Sequence, residues 1–99
     1  MKILLICSGG MSTSLIVEAM KKFSVEKGIY ALIESAGSES LEDKINEFDV
    51  ILVAPQVRHR FDRFKEIADR FNKPIELIDA RAYGLVDGRS IFERAASLL

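Results

Sequence analysis

The sequence predicts a single α/β domain in which a parallel sheet is covered by helices on both faces. Two observations carry that prediction. Short continuous apolar runs recur along the chain, the pattern of strands buried on both sides, and the stretches between them place apolar residues at helical spacing. Strand and helix alternate throughout, which argues for parallel strands joined by right-handed crossovers. The 99 residues suit one domain, near the small end of what holds a core without staples. No internal repeat, low-complexity tract or linker divides residues 1–99.

The elements follow in order. Ile3-Leu4-Leu5-Ile6 is the first buried strand, ending at Cys7. A turn-rich segment, Ser8-Gly9-Gly10-Met11-Ser12, leads into a helix marked by Leu15, Ile16, Ala19, Met20 and Phe23, which runs to about Lys27 with Gly28 placed to end it. Ile29 to Ile33 reads as the second strand, bounded by Ser35-Ala36-Gly37. Ser38 is placed to cap a short helix whose Leu41 and Ile45 face inward. Val50-Ile51-Leu52-Val53 is the third strand, stopped by Pro55, and Val57 to Phe71 the second long amphipathic helix, with Phe61, Phe64, Ile67, Ala68 and Phe71 on one face. Pro74 to Ile78 is the fourth strand, with proline at its first position where a missing donor is tolerated. Asp87 to Leu99 closes the chain as a helix with Ile91, Phe92, Ala95 and Leu98 inside.

Composition excludes several classes of function. Fourteen Lys and Arg stand against fifteen Asp and Glu, a net charge of -1, which is no footprint for sequence-independent nucleic-acid binding or for an anionic membrane. A single cysteine permits no internal disulfide and fits a reducing cytosol. Cys7 and His59, the one cysteine and the one histidine, fall short of a structural zinc set. The apolar start is too short for a signal peptide, and no run approaches the roughly 18 residues of a membrane span. A soluble, cytoplasmic protein is expected, with any membrane role supplied by a partner.

The chemistry is expected beyond the carboxyl ends of the strands, where open parallel sheets bind their ligands. Of the four strand ends, the first has the strongest signature: Cys7 followed by Ser8, Gly9, Gly10, Met11, Ser12, Thr13 and Ser14. Glycines let a backbone curl so that successive N–H groups form an anion nest. The following helix start adds donors and partial positive charge, and the hydroxyls of Ser8, Ser12, Thr13 and Ser14 add more. Such a setting favours a thiolate and could hold a phosphoryl group transferred to it. The plainer alternative is that Cys7 is a small buried residue before an ordinary turn. The segment is neither a Walker A loop nor a dinucleotide loop, which argues against a nucleotide.

The run Cys7-Ser8-Gly9-Gly10-Met11-Ser12-Thr13-Ser14-Leu15 closely resembles the phosphorylation loop of the lactose/cellobiose-specific enzyme IIB family of the bacterial phosphoenolpyruvate-dependent sugar phosphotransferase system. Ala54-Pro55-Gln56-Val57-Arg58, Ile78-Asp79 and Tyr83-Gly84-x-x-Asp87-Gly88 resemble further segments of that family, in the same order along the whole chain. The resemblance implies a four-stranded parallel sheet in the order 2-1-3-4, with a phosphatase-like cysteine loop after strand 1. It implies that Cys7 accepts a phosphoryl group from a phosphohistidine of the IIA protein. Cys7 would then pass it to a sugar, a β-linked disaccharide such as cellobiose, chitobiose or lactose, bound by the membrane-embedded IIC partner. Residues Ser8 to Ser14 would hold the phosphate, without metal, nucleotide or other cofactor. The sugar itself, bound by another protein, is not written in this chain.

Two rival readings stand beside this one. A low-molecular-weight tyrosine phosphatase uses a similar loop, but as Cys-x5-Arg with an arginine clamping the phosphate; the corresponding residue after Cys7 is Thr13. It also needs an aspartic acid to protonate the leaving group; Asp79 and Asp87 lie near the right strand ends but not in that family's sequence setting. The other rival is a non-catalytic binding or regulatory domain with a structural Cys7. A redox role lacks a resolving cysteine. Gln56, Arg58 and Tyr83 are candidate rim residues, His59 reads as part of an exposed helix start, and the phenylalanine stripe as core. Met11 and Leu15 suit a transient protein contact, although Leu15 also reads as the first core residue of its helix. Nothing signals oligomerisation, so a monomer is expected.

Overall fold

The computed structural model describes residues 1–9 and 13–99. Four parallel strands, β1 (Lys2–Cys7), β2 (Leu32–Gly37), β3 (Val50–Val53) and β4 (Ile75–Leu77), form one sheet in the order β2-β1-β3-β4. The helices are α1 (Ser14–Glu26), α2 (Leu41–Lys44), α3 (Phe61–Arg70), α4 (Ala80–Gly84) and α5 (Gly88–Ser97).

Alternation along the central strands builds both halves of the core. Ile3 and Leu5 of β1, with Val50 and Leu52 of β3, pack beneath α1 and α5 against Ile16, Met20, Ile91 and Phe92. Leu4, Ile6, Ile51 and Val53 face the other way, onto Leu41, Ile45, Phe64 and Ile67. Every residue of β1 after Lys2 is buried, which is why its sequence shows no polar interruption. Burying each large side chain of this kind contributes about 1.5–3 kcal/mol. α1 and α5 meet almost backbone to backbone: a methyl group on Gly88 would lie 2.5 Å from the Ala19 carbonyl carbon.

Several boundaries differ from those expected, each for a physical reason. Strand β2 runs Leu32–Gly37 rather than from Ile29 to Ile33. Its pairing begins where Leu32 N–H donates to the Met1 carbonyl and continues in register until Gly37 lies opposite Cys7. As an edge strand it needs no continuous apolar run and carries Glu34 and Ser35. Ser38 does not cap a helix with its side chain; it opens a 3₁₀ turn, Ser38–Ser40, that leads into α2, while Leu41 and Ile45 are buried as expected. The long helix from Val57 is broken into a 3₁₀ segment, Pro55–Arg60, with a non-helical residue at Val57, followed by α3. α4 was not expected, and it is a five-residue helix without a fully buried residue, so it leaves no apolar stripe to read. Gly28 ends α1 in the left-handed region at φ 67°, and Asp87 caps α5.

Leu15 is 68% exposed, so it is not the first core residue of α1. The inner stripe of that helix is Thr13, Ile16, Val17, Met20 and Ser24, all buried. The stripe therefore begins with a polar residue directly beside the end of β1.

Candidate functional site at the end of strand β1

Cys7 ends β1 with its side chain wholly buried. Thr13 is the N-cap residue of α1, and its backbone carbonyl accepts from Val17 N–H at 2.9 Å. An N-cap threonine ordinarily turns its hydroxyl to a first-turn N–H; Thr13 makes no such bond. Its buried hydroxyl donates to the Cys7 sulfur instead, at 3.9 Å. Two consequences follow. The sulfur gains a hydroxyl donor, and the first-turn N–H groups of α1, which have no intrahelical acceptor, receive no bond from the Thr13 side chain. No acidic residue occupies that turn.

Ser8 and Gly9 are exposed on the approach to the helix. A side chain at Gly9 would meet nothing within 4 Å, and its backbone is not left-handed, so room rather than backbone strain distinguishes the position. Gly10, Met11 and Ser12 lie outside the described residues, and the expectations placed on them are not addressed by the structure.

The rim residues separate into two groups. Gln56, just after β3, and Tyr83, on α4, come together across the edge of the sheet, with Gln56 Nε2 donating to Tyr83 Oη at 3.2 Å. Arg58 Nη1 donates to the Pro55 carbonyl at 2.9 Å, which commits its guanidinium to closing its own turn. His59 is exposed, as expected.

The two aspartates that a hydrolase would need are both committed to helix starts. Asp79 accepts from Ala82 N–H at 2.9 Å, capping α4. Asp87 accepts from the Ser90 N–H at 3.1 Å and the Ser90 hydroxyl at 2.8 Å. The backbone bond from Ser90, then its hydroxyl bond, hold the Asp87 carboxyl below its ordinary value against the opposing effect of burial, with the smallest contribution, also lowering, from Arg89. A carboxylate so held is a poor proton donor. A cavity of about 360 Å³ opens between β4, α4 and α5, floored by Leu52 and Ile78 and walled by Ala82, Leu85 and Ile91. Cys7 does not line it, so this cavity and the end of β1 are separate places. Among the described residues, no three His, Cys, Asp or Glu side chains converge as a metal site requires, and no helix is long and apolar enough to cross a membrane.

Residues 2–94 match the model of the family described as "PTS system, Lactose/Cellobiose specific IIB subunit". The chain belongs to this family. It is 39% identical over 98 residues to the oligo-beta-mannoside-specific EIIB component of Bacillus subtilis, a match covering 99% of this chain and 95% of that one. It is 29% identical over 68 residues to the lactose-specific EIICB component of Lactococcus lactis, covering 69% of this chain but 12% of that larger protein. Among solved structures, the cellobiose-specific IIB component of Borrelia burgdorferi superposes with a TM-score of 0.85 at 38% identity, covering 99% of this chain and 90% of that one. A low-molecular-weight protein tyrosine phosphatase of Bacillus subtilis superposes with a TM-score of 0.56 at 17% identity, covering 99% and 91%, a likeness of fold alone. The phosphotransferase-system IIB identity and the strand order 2-1-3-4 thus stand together, as the sequence motifs implied.

Signals missed in the sequence are mostly pairings. The loop's hydroxyls were visible, but that Thr13 alone of the described ones would turn inward to the sulfur depends on its place at the head of the buried stripe of α1. Its spacing from Ile16, Val17 and Met20 was the available clue.

Proposed function

We propose that this IIB component is a cytoplasmic phosphocarrier whose nucleophile is Cys7. The sulfur attacks the phosphorus of a phosphohistidine on IIA; the S–P bond forms as the N–P bond breaks, and the imidazole leaves. In the second step a sugar hydroxyl on a β-linked disaccharide held by IIC attacks the phosphocysteine. The O–P bond forms, the S–P bond breaks, and the hydroxyl proton leaves to solvent or to the acceptor protein. Cys7 is thus nucleophile first and leaving group second, and the loop from Ser8 to Ser14 holds the equatorial oxygens. The observation that carries the proposal is the Thr13 hydroxyl donating to a buried Cys7 sulfur at the uncapped start of α1.

Other features support it. Thr13 stands where a phosphatase would carry its arginine, and Asp79 and Asp87 are engaged as caps, so the site has a nucleophile without a matched acid. That combination favours a thiophosphate that waits for an acceptor over one that hydrolyses. Exposed Leu15, one residue into α1, offers an apolar contact for a protein that must reach Cys7. A relative in which such a segment is part of an EIICB component supports IIC as the acceptor. The carrier acts as a monomer and needs no cofactor.

The test is intact mass after incubation with phosphoenolpyruvate, the general phosphotransferase proteins and a matching IIA. One added phosphate on the wild type and none on Cys7→Ser is expected. A folded wild type that takes no phosphate from any of several IIA donors would return Cys7 to a structural role, and steady release of phosphate from an aryl phosphate would favour the hydrolase.

A further inference from the structure

Strand β1 ends between two neighbours that leave the sheet at the same level. On one side Gly37, the last residue of β2, lies opposite Cys7. On the other, Ala54 N–H donates to the Ile6 carbonyl at 2.8 Å, and the chain turns into the 3₁₀ segment Pro55–Arg60. The two sides are tied together across 22 positions of sequence: Arg60 Nη1 donates to Ser38 Oγ at 3.0 Å. Ser38 is only 7% exposed, and the Arg60 guanidinium lies 5.5 Å over the Phe64 ring, which fixes its direction.

The corner so held bears on the Cys7 loop itself. A methyl group on Gly37 would lie 3.4 Å from the Ser8 carbonyl oxygen and 3.2 Å from the Glu39 carboxylate. The end of β2 therefore lies close beside the first residue of the loop, with no room for a larger residue at Gly37 without tight packing. The segment on the far side is a 3₁₀ turn that contains one irregular residue, Val57, with φ -114° and ψ 22°. Arg60 anchors its far end.

We propose that the Gly37–Ser38 corner, tied to the far side of the sheet by Arg60, is a positioning element for the Cys7 loop, with Arg60 and Ser38 as positioning residues for phosphoryl transfer. This rests on the phosphocarrier reading above. In-line displacement is sensitive to small displacements of the nucleophile, and a sulfur that accepts from the Thr13 hydroxyl loses that donor when the end of β1 shifts. The clip acts through the loop and touches no reacting atom.

The test compares wild type, Arg60→Met, Arg60→Lys, Ser38→Ala and the Arg60→Met/Ser38→Ala pair. The readouts are the maximal rate of Cys7 phosphorylation at saturating phospho-IIA and the pH midpoint of Cys7 alkylation by iodoacetamide, with folding checked by thermal melting. Methionine keeps the apolar stem over Phe64 while removing the donor. Arg60→Met is expected to lower the maximal rate about tenfold, to leave the half-saturating donor concentration unchanged, and to raise the alkylation midpoint. Ser38→Ala is expected to do the same, the pair to be no worse than either alone, and Arg60→Lys to recover part of the rate. Wild-type rate and midpoint in both single variants would overturn the proposal. So would losses that multiply in the pair, or a change confined to the half-saturating concentration, which would make Arg60 a docking residue. Should Arg60→Met fail to fold, Ser38→Ala carries the comparison. A wild type that accepts no phosphate sinks the carrier reading, while the alkylation arm still decides the clip.

Discussion

At the β1 end of the sheet's carboxyl edge a helix starts without a side-chain cap; at the β4 end two helices start with one each. Thr13 leaves the first turn of α1 open and spends its hydroxyl on the Cys7 sulfur. Asp79 and Asp87 close the first turns of α4 and α5 with their own carboxylates. A helix start attracts an anion in either case. At β4 the chain supplies the anion itself and gains stability. At β1 Thr13 supplies none, and on the phosphocarrier proposal that position is left for the incoming phosphoryl group. The difference separates scaffold from site more sharply than exposure does, since Cys7 is buried and the capping aspartates are not fully so.

The most direct way to break this contrast is to give α1 the kind of cap that α4 has. On the phosphocarrier proposal, Thr13→Asp places a carboxylate where the phosphoryl group sits. We expect the rate of Cys7 phosphorylation to fall about a thousandfold, the upper range for misplacing one stabilising donor in an anionic transition state, while far-UV circular dichroism stays native. A variant that still accepts phosphate at near wild-type rate would show that the open first turn is not the phosphate site.

The helices α1 and α5 pack against one another, with a close approach at Gly88. Gly88 opens α5 against the Ala19 backbone, and an added methyl would lie 2.5 Å from the Ala19 carbonyl carbon and 2.7 Å from its Cβ. Neither is the far end of a flexible side chain, so the helices must move apart. Gly88→Ala is expected to cost about 2 kcal/mol in urea unfolding. Unchanged stability would mean that the α1–α5 contact is looser than the structure has it.

Much of this was legible in the sequence, and the exceptions share a cause. The central strands β1 and β3 were read correctly because burial on both faces writes a continuous apolar run. The edge strand β2 was placed too early because Glu34, Ser35 and Gly37 break such a run, and its true position is dictated by register with β1, a non-local fact. α4 left no trace because a five-residue helix without a fully buried residue has no stripe. Cys7 and its loop stood out in the sequence as a candidate site, since a thiol, glycines and hydroxyls fall together there. The inward turn of Thr13, the Gln56–Tyr83 pair and the reach of Arg60 to Ser38 join residues up to 27 positions apart, and only the fold brings the distant pairs together.

A smaller effect tests whether the β4 end is scaffold alone. Asp79→Ala removes the acceptor for Ala82 N–H and is expected to cost ~1 kcal/mol, the usual figure for losing an N-cap. The maximal rate of Cys7 phosphorylation should not change. A large fall in rate without a matching loss of stability would mean that Asp79 takes part in proton transfer, and would reopen the hydrolase reading.

The smallest expected effect is one of pH. The Asp87 carboxyl is held below its ordinary value of 3.8, first by the Ser90 N–H and then by the Ser90 hydroxyl. A lowered folded value means that ionised Asp87 favours the folded state. Its contribution is complete above the ordinary carboxylate range and fades as pH falls through the depressed folded value. Asp87→Asn keeps an oxygen that can accept from Ser90 N–H but removes the charge, so wild type should melt slightly above the variant at pH 7. That gap should hold to about pH 5 and close below about pH 4. A gap independent of pH would assign the cap's value to hydrogen-bond geometry alone. One that widens in acid would reverse the sign of the linkage and with it the assignment of Asp87 as an ionised cap.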